Sequence, residues 1–212
     1  MSRAPDVLAH AWWLAARASG LVALALVTAS TLLGLAMAAR LARRPGLAPR
    51  VAALHEQLAV TGLVAIGVHG VTLLGDRWLR PGLLGLAVPG VLSYRPAFTA
   101  MGIVAAYLSA LLGLSFYARR RIGGRRWRRL HRLTVLAYGL AVVHALGAGT
   151  DAGAVWLRLP LLASAVLAIA LFALRLDRSA PAPGAPPREP ARPAPPAPPR
   201  HVLSTGREGS RA

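Results

Sequence analysis

Five stretches of nearly uncharged, apolar sequence recur along this chain, divided by arginine-rich or Gly- and Pro-rich connections. A helix of about 20 such residues, rising about 1.5 Å per residue, spans a hydrocarbon core of about 30 Å. An amphipathic soluble helix would show apolar residues on one face instead of in unbroken blocks. Charged residues make up 15% of the 212, against about a quarter in soluble domains. The expected fold is therefore all-α: a polytopic membrane helical bundle of about five transmembrane helices, in contact with the lipid bilayer.

The spans are placed at about Trp12–Ala39, Val51–Leu74, Ala97–Tyr117, Trp127–Leu146 and Gly153–Leu174. Trp12 and Trp13 read as an interfacial belt at the start of the first. Residues 79–96 are apolar but hold Pro81, Pro89, Pro96 and three glycines, which disfavour a continuous span, so an interfacial or partly re-entrant connection is expected. Three regions follow: an outer N-terminal segment at 1–11, a transmembrane domain at 12–176 and a tail at 177–212. Within the tail, Pro181 to Pro199 is a Pro/Ala/Arg run without large apolar residues. It is expected to be disordered or polyproline II, a solvated extension or a docking peptide.

All 25 basic residues are arginine, and the net charge is +18. The loop between spans one and two holds Arg40, Arg43, Arg44 and Arg50. That between three and four holds Arg119, Arg120, Arg121, Arg125, Arg126, Arg128 and Arg129. The loop between four and five holds none. Such placement reads as membrane topology and lipid headgroups, not nucleic acid. The positive-inside rule puts the arginine-rich loops in the cytoplasm, the N-terminus outside and the tail inside, in a plasma membrane.

The chain has no cysteine, which excludes thiolate-ligated haem, Cys-ligated iron–sulfur clusters and covalent haem attachment. It has six histidines. His10 precedes the first span and His201 lies in the tail. The other four, His55, His69, His131 and His144, sit inside spans two and four. Ionisable side chains at membrane depth point to function by default. His55 and His69 are separated by 14 positions, close to four helical turns and about 21 Å. His131 and His144 are separated by 13, about 20 Å. Spans two and four run parallel, so the four make two levels: His55 with His131 on the inner side, His69 with His144 on the outer. Thirteen residues is not a whole number of turns, so span four needs a bend, bulge or offset, for which Gly139 is a candidate. Paired imidazoles at two depths are what two six-coordinate b-type haems require of a protein. The alternative is a non-redox transporter or assembly factor whose histidines serve protons or packing. A metal transporter would bring more carboxylates than the single nearby Glu56.

The stretch Trp127-Arg128-Arg129-Leu130-His131-Arg132-Leu133, with Tyr138 and His144, resembles the haem-bearing fourth segment of the ferric reductase-like transmembrane domain family. That superfamily includes NADPH oxidases, ferric reductases and the haem-binding membrane subunit of the methionine sulfoxide reductase system. The resemblance covers about Arg17 to Leu174. It implies two b haems with His55, His69, His131 and His144 as axial ligands, and electron flow from the inner to the outer face. Oxidases of that family continue into a flavin and nicotinamide domain. Here about 35 residues follow the last span, without a G-x-G-x-x-G. The expected donor is accordingly a cytoplasmic flavoprotein reductase or a quinone, with an acceptor at the outer face.

Two arginines join the candidate cofactor-binding set. Arg17, inside span one, would pair with an outer haem propionate or snorkel to the interface. Arg132, beside His131, would meet an inner propionate or serve only as a cytoplasmic charge. Tyr94 and Arg95 resemble a family loop near the outer haem, or form a simple turn at a helix start. Phe98, Tyr107, Phe116 and Tyr138 read as lipid-facing or packing residues, not electron relays.

Overall fold

The computed structural model describes residues 7–41 and 46–177, and among them every regular element is helical. The elements are α1 (Val7–Ala38), α2 (Leu47–Leu74), α3 (Gly82–Ala87), α4 (Pro96–Leu114), α5 (Arg119–Ile122), α6 (Gly124–His131), α7 (Thr134–Ala148) and α8 (Val155–Asp177). Five segments are long and apolar enough to cross a membrane: His10–Ala38, Leu47–Leu74, Pro96–Leu114, Gly124–Ala148 and Val155–Asp177. Arg43, Arg44, His201 and the Pro-rich run at 181–199 lie outside the described residues.

The surface carries the apolar residues. Val64 is 62% exposed and Ile169 70%, while Ser30, Thr31, Thr72 and Thr99 are buried. A surface of this kind suits lipid, where burial of oily side chains gains little and polar groups turn inward to find partners. Ser19 Oγ meets Thr72 Oγ1 at 3.4 Å between α1 and α2, and Tyr138 Oη meets Ser164 Oγ at 2.6 Å between α7 and α8. The hydrophobic core lies among α1, α7 and α8, around Leu24, Leu35, Val142, Leu157 and Leu161.

The bundle is built from two tight pairs. α1 packs along α2, and α4 along α7; α8 lies against α1 and α7. Contacts at opposite ends fix the first pair as antiparallel: Gly20 adjoins His69, and Gly34 adjoins His55. Between the pairs, α2 and α7 share no extended packing, and the gap between them is where the histidines meet.

Residues 79–96 form no span. The six-residue α3 leaves Leu83 and Leu84 about three-quarters exposed, and Tyr107 Oη donates to the Ala87 carbonyl at 2.5 Å, fastening this segment to α4. Tyr94 and Arg95 close the other end of α7. Tyr94 Oη donates to Ala148 O at 3.3 Å and the Arg95 guanidinium donates to Gly147 O. These are last-turn carbonyls without helical partners, and a cation there also suits the helix dipole.

Span four is two helices, not one. α6 ends at His131 and α7 begins at Thr134. Across the junction the chain makes i→i−3 bonds: Arg132 N to Arg129 O at 3.3 Å, Leu133 N to Leu130 O at 2.9 Å and Val135 N to Arg132 O at 3.3 Å. Gly139, the residue expected to permit the bend, lies within unbroken α7. Thirteen residues of straight α-helix fall about 140° short of whole turns, whereas fourteen fall about 40° short. Each tighter step adds about 20°, so three recover about 60° of the deficit immediately after His131.

Candidate functional site

The four membrane-depth histidines occur as two pairs. His55 on α2 and His131 on α6 present rings 6.2 Å apart between centroids, with planes at 89°. His69 on α2 and His144 on α7 lie within electrostatic reach of each other. The pairing requires α2 and α6–α7 to run in the same direction. All four rings are half-buried.

Three rings are held from behind in one recurring way. His69 Nδ1 donates to Ala16 O at 2.8 Å, His55 Nδ1 to Ser30 O at 2.8 Å and His144 Nδ1 to Phe98 O at 2.9 Å. In each case the residue four positions beyond the acceptor is a glycine pressed against the ring: Gly20, Gly34 and Gly102. A helical carbonyl points at residue i+4, whose Cβ leans back towards the N-terminus and covers it. Without that Cβ the carbonyl is bared, and an imidazole edge reaches it. A methyl added at Gly20 would lie 3.0 Å from His69 Nδ1, and one at Gly34 would lie 3.1 Å from His55 Cε1.

These bonds settle the chemistry of the rings. A carbonyl only accepts, so Nδ1 carries the proton, and the neutral ring keeps its lone pair on Nε2. Among the described residues, the hydrogen bonds of His55, His69 and His144 all run through Nδ1 and leave Nε2 open. A carbonyl on Nδ1 with an open Nε2 is the usual outer-shell arrangement of a metal-ligating histidine, and it raises the ring's donor strength. The fourth ring differs. His131 Nδ1 is buried without a hydrogen-bond partner among the described residues, and the Leu112 carbonyl lies near the ring.

The spacing of His55 and His131 fits one metal ion between them. Bonds of about 2 Å from one ion to two imidazole nitrogens, plus about 1.2 Å from nitrogen to ring centre, put the centroids about 6.4 Å apart. Among the described residues no three His, Asp or Glu gather into a metal cluster, so the donors come as pairs only. His55 and His131 open on a cavity of about 980 Å³ lined mainly by apolar residues of α1, α2 and α4. That volume is at the upper end of cofactor sites, about 300–1,000 Å³. Arg125, Arg128, Arg129, Arg132 and Arg175 line the same cavity, so it pairs apolar walls with guanidinium groups. This arrangement suits a flat apolar ligand with carboxylates at one edge.

Arg132 thus lines the cavity of His55 and His131. Arg175, which drew no notice in the sequence, joins it there from α8. Arg17 is engaged by Asp151: Nε donates to Oδ2 at 2.7 Å and one Nη to Oδ1 at 2.5 Å. Its guanidinium also lies 5.3 Å from the Trp13 ring centre, and its other Nη is the donor that Asp151 leaves. Glu56 accepts a hydrogen bond from Tyr117 Oη at 3.0 Å. No protein-family model, curated protein or solved structure matches the chain.

Proposed function

We propose that this protein is a transmembrane electron-transfer subunit holding two b-type haems, one between His55 and His131 and one between His69 and His144. The observation that carries the reading is the state of the rings. Three of the four have Nδ1 tied to a backbone carbonyl and Nε2 open, and the one ring pair whose spacing is resolved stands 6.2 Å apart. A bound b haem supplies a one-electron carrier. Two imidazoles of this chain would hold each haem iron, which would favour electron transfer over oxygen binding. Arg132 and Arg175 offer guanidinium partners for inner propionates, and the second Nη of Arg17 offers one on the outer side.

A proton relay is a poorer account of these histidines. It needs ring nitrogens linked in series to groups that both give and take protons; Ala16 O and Phe98 O only accept, and the one hydroxyl at these rings, Ser30 Oγ at 3.0 Å from His55 Nδ1, shares that nitrogen with Ser30 O.

The membrane is the plasma membrane, with the N-terminus outside and the C-terminus in the cytoplasm, since the arginines of α5 and α6 mark the cytoplasmic side. The donor is a cytoplasmic flavoprotein or a quinone, and the acceptor lies at the outer face. By resemblance the chain belongs with the ferric reductase-like membrane domains.

The test is the spectrum and iron content of the full chain, purified in detergent from haem-replete cells. The expected result is a reducible low-spin b-type spectrum with about two haems per chain. His131→Ala and His144→Ala should each reduce this to about one. A stable, colourless preparation would overturn the proposal.

A further inference from the structure

Three of the four rings reach a bared carbonyl; at the fourth, the equivalent position carries no glycine. The carbonyl near His131 is that of Leu112, and four residues beyond it stands Phe116, not a glycine. The Leu112 carbonyl is also engaged, accepting from Ser115 Oγ at 2.7 Å. What orients His131 is an aromatic ring on its own helix. Trp127 lies four residues earlier on α6, the spacing that stacks side chains on one helical face. Its ring lies 4.8 Å from the imidazole, at an interplanar angle of 25°. Trp127 is itself fixed: Nε1 donates to Ser115 Oγ at 3.2 Å, and Phe116 meets its ring at 5.9 Å and 61°.

We infer that Trp127 is the positioning residue of the inner site, setting by stacking the ring rotation of His131 that bared carbonyls set for the other three histidines. The inference rests on the two-haem reading above. A flat surface restrains tilt but adds no charge to the imidazole. His131 is then the weakest electron donor of the four, and its hold on the inner iron depends on Trp127. Loss of such outer-shell support typically weakens metal affinity about 10-fold to 100-fold.

The test compares Trp127→Phe and Trp127→Leu with His131→Ala in the full chain. It reads haem content, the electron paramagnetic resonance line of each haem and the redox titration. Phenylalanine keeps a stacking face and should leave both components near those of the wild type. Leucine keeps bulk without the face. It should weaken retention of the inner haem about 10-fold and alter its resonance line, with the outer component unchanged. Circular dichroism and the intact outer haem show that the variant has folded. If Trp127→Leu keeps both haems with unchanged lines and potentials while His131→Ala loses one, the role of Trp127 is overturned and the two-haem reading stands. If the wild type binds no haem, both fall.

Discussion

Gly102 stands so close to His144 that a Cβ there would lie 2.5 Å from Nδ1 and 2.7 Å from Cγ. No ordinary contact is that short, so Gly102→Ala must push the ring away from the Phe98 carbonyl or push α4 away from α7. Overpacking of this kind typically costs about 1–3 kcal/mol. The expected result is loss of the outer haem, from about two per chain to about one, read by haem-to-protein ratio. Gly20→Ala and Gly34→Ala meet their rings at 3.0 and 3.1 Å. They should shift the spectrum and keep more of the haem. A Gly102→Ala protein with wild-type content and spectrum would count against the bared-carbonyl arrangement.

Arg17 and Asp151 join α1 to the turn before α8, with the Arg17 side chain 36% exposed and that of Asp151 12%. Solvent at the guanidinium screens the pair, so its value lies between that of a surface bridge and a buried one. Asp151→Ala should destabilise the protein by about 1–2 kcal/mol. The check is thermal unfolding in detergent of both single variants and the double variant. Non-additivity of roughly 1 kcal/mol is expected from a pair in direct contact. Strict additivity would show that the bridge contributes nothing.

The spans and the two histidine levels were legible because the bilayer and the helix impose simple lengths and periods. Gly20 and Gly34 share the 14-position separation of His55 and His69. That match was a signal open to reading, since antiparallel neighbours in register repeat at the same interval. Trp127, four residues before His131, was likewise visible. The junction at Arg132 and Leu133 left no mark, because both residues are good helix formers and the tightening lies in the hydrogen bonding. Gly139 drew attention by residue type alone. Arg17 and Asp151 are 134 positions apart, and no local pattern joins them. Arg175 resembled any charge ending a span, and only the packing of α8 brings it to the cavity of His55 and His131.

Tyr117 lies beyond the end of α4, and its hydroxyl donates to Glu56. This hydrogen bond, helped by the carboxylate's negative charge, raises the Tyr117 pKa above its ordinary value. A folded-state pKa raised above the unfolded one favours the protonated form. The bond's contribution is therefore whole below the unfolded pKa of about 10, and it is lost as pH rises through the folded value. The tyrosinate absorbance assigned to Tyr117, taken as wild type minus Tyr117→Phe, should titrate above the unperturbed range. Glu56→Ala should return it towards about 10. An unmoved midpoint in Glu56→Ala would refute the pairing.

Tyr138 is part of the stretch that resembles the ferric reductase-like family, yet it sits in the core between α7 and α8 at 3% exposure. Its hydroxyl meets Ser164 Oγ at 2.6 Å, and Ser164 Oγ also donates to Leu161 O at 2.8 Å. In Tyr138→Phe the serine keeps its carbonyl partner and the ring keeps its packing. The loss should therefore be that of one hydrogen bond, about 1 kcal/mol, without a stranded polar group. Because the hydroxyl is engaged by Ser164 of α8, both haem components should keep their content and potentials. Thermal unfolding measures the first effect and a redox titration the second. A changed potential in Tyr138→Phe would mean that this hydroxyl acts on the haem sites, and that the family-like stretch carries more than helix packing around His131 and His144.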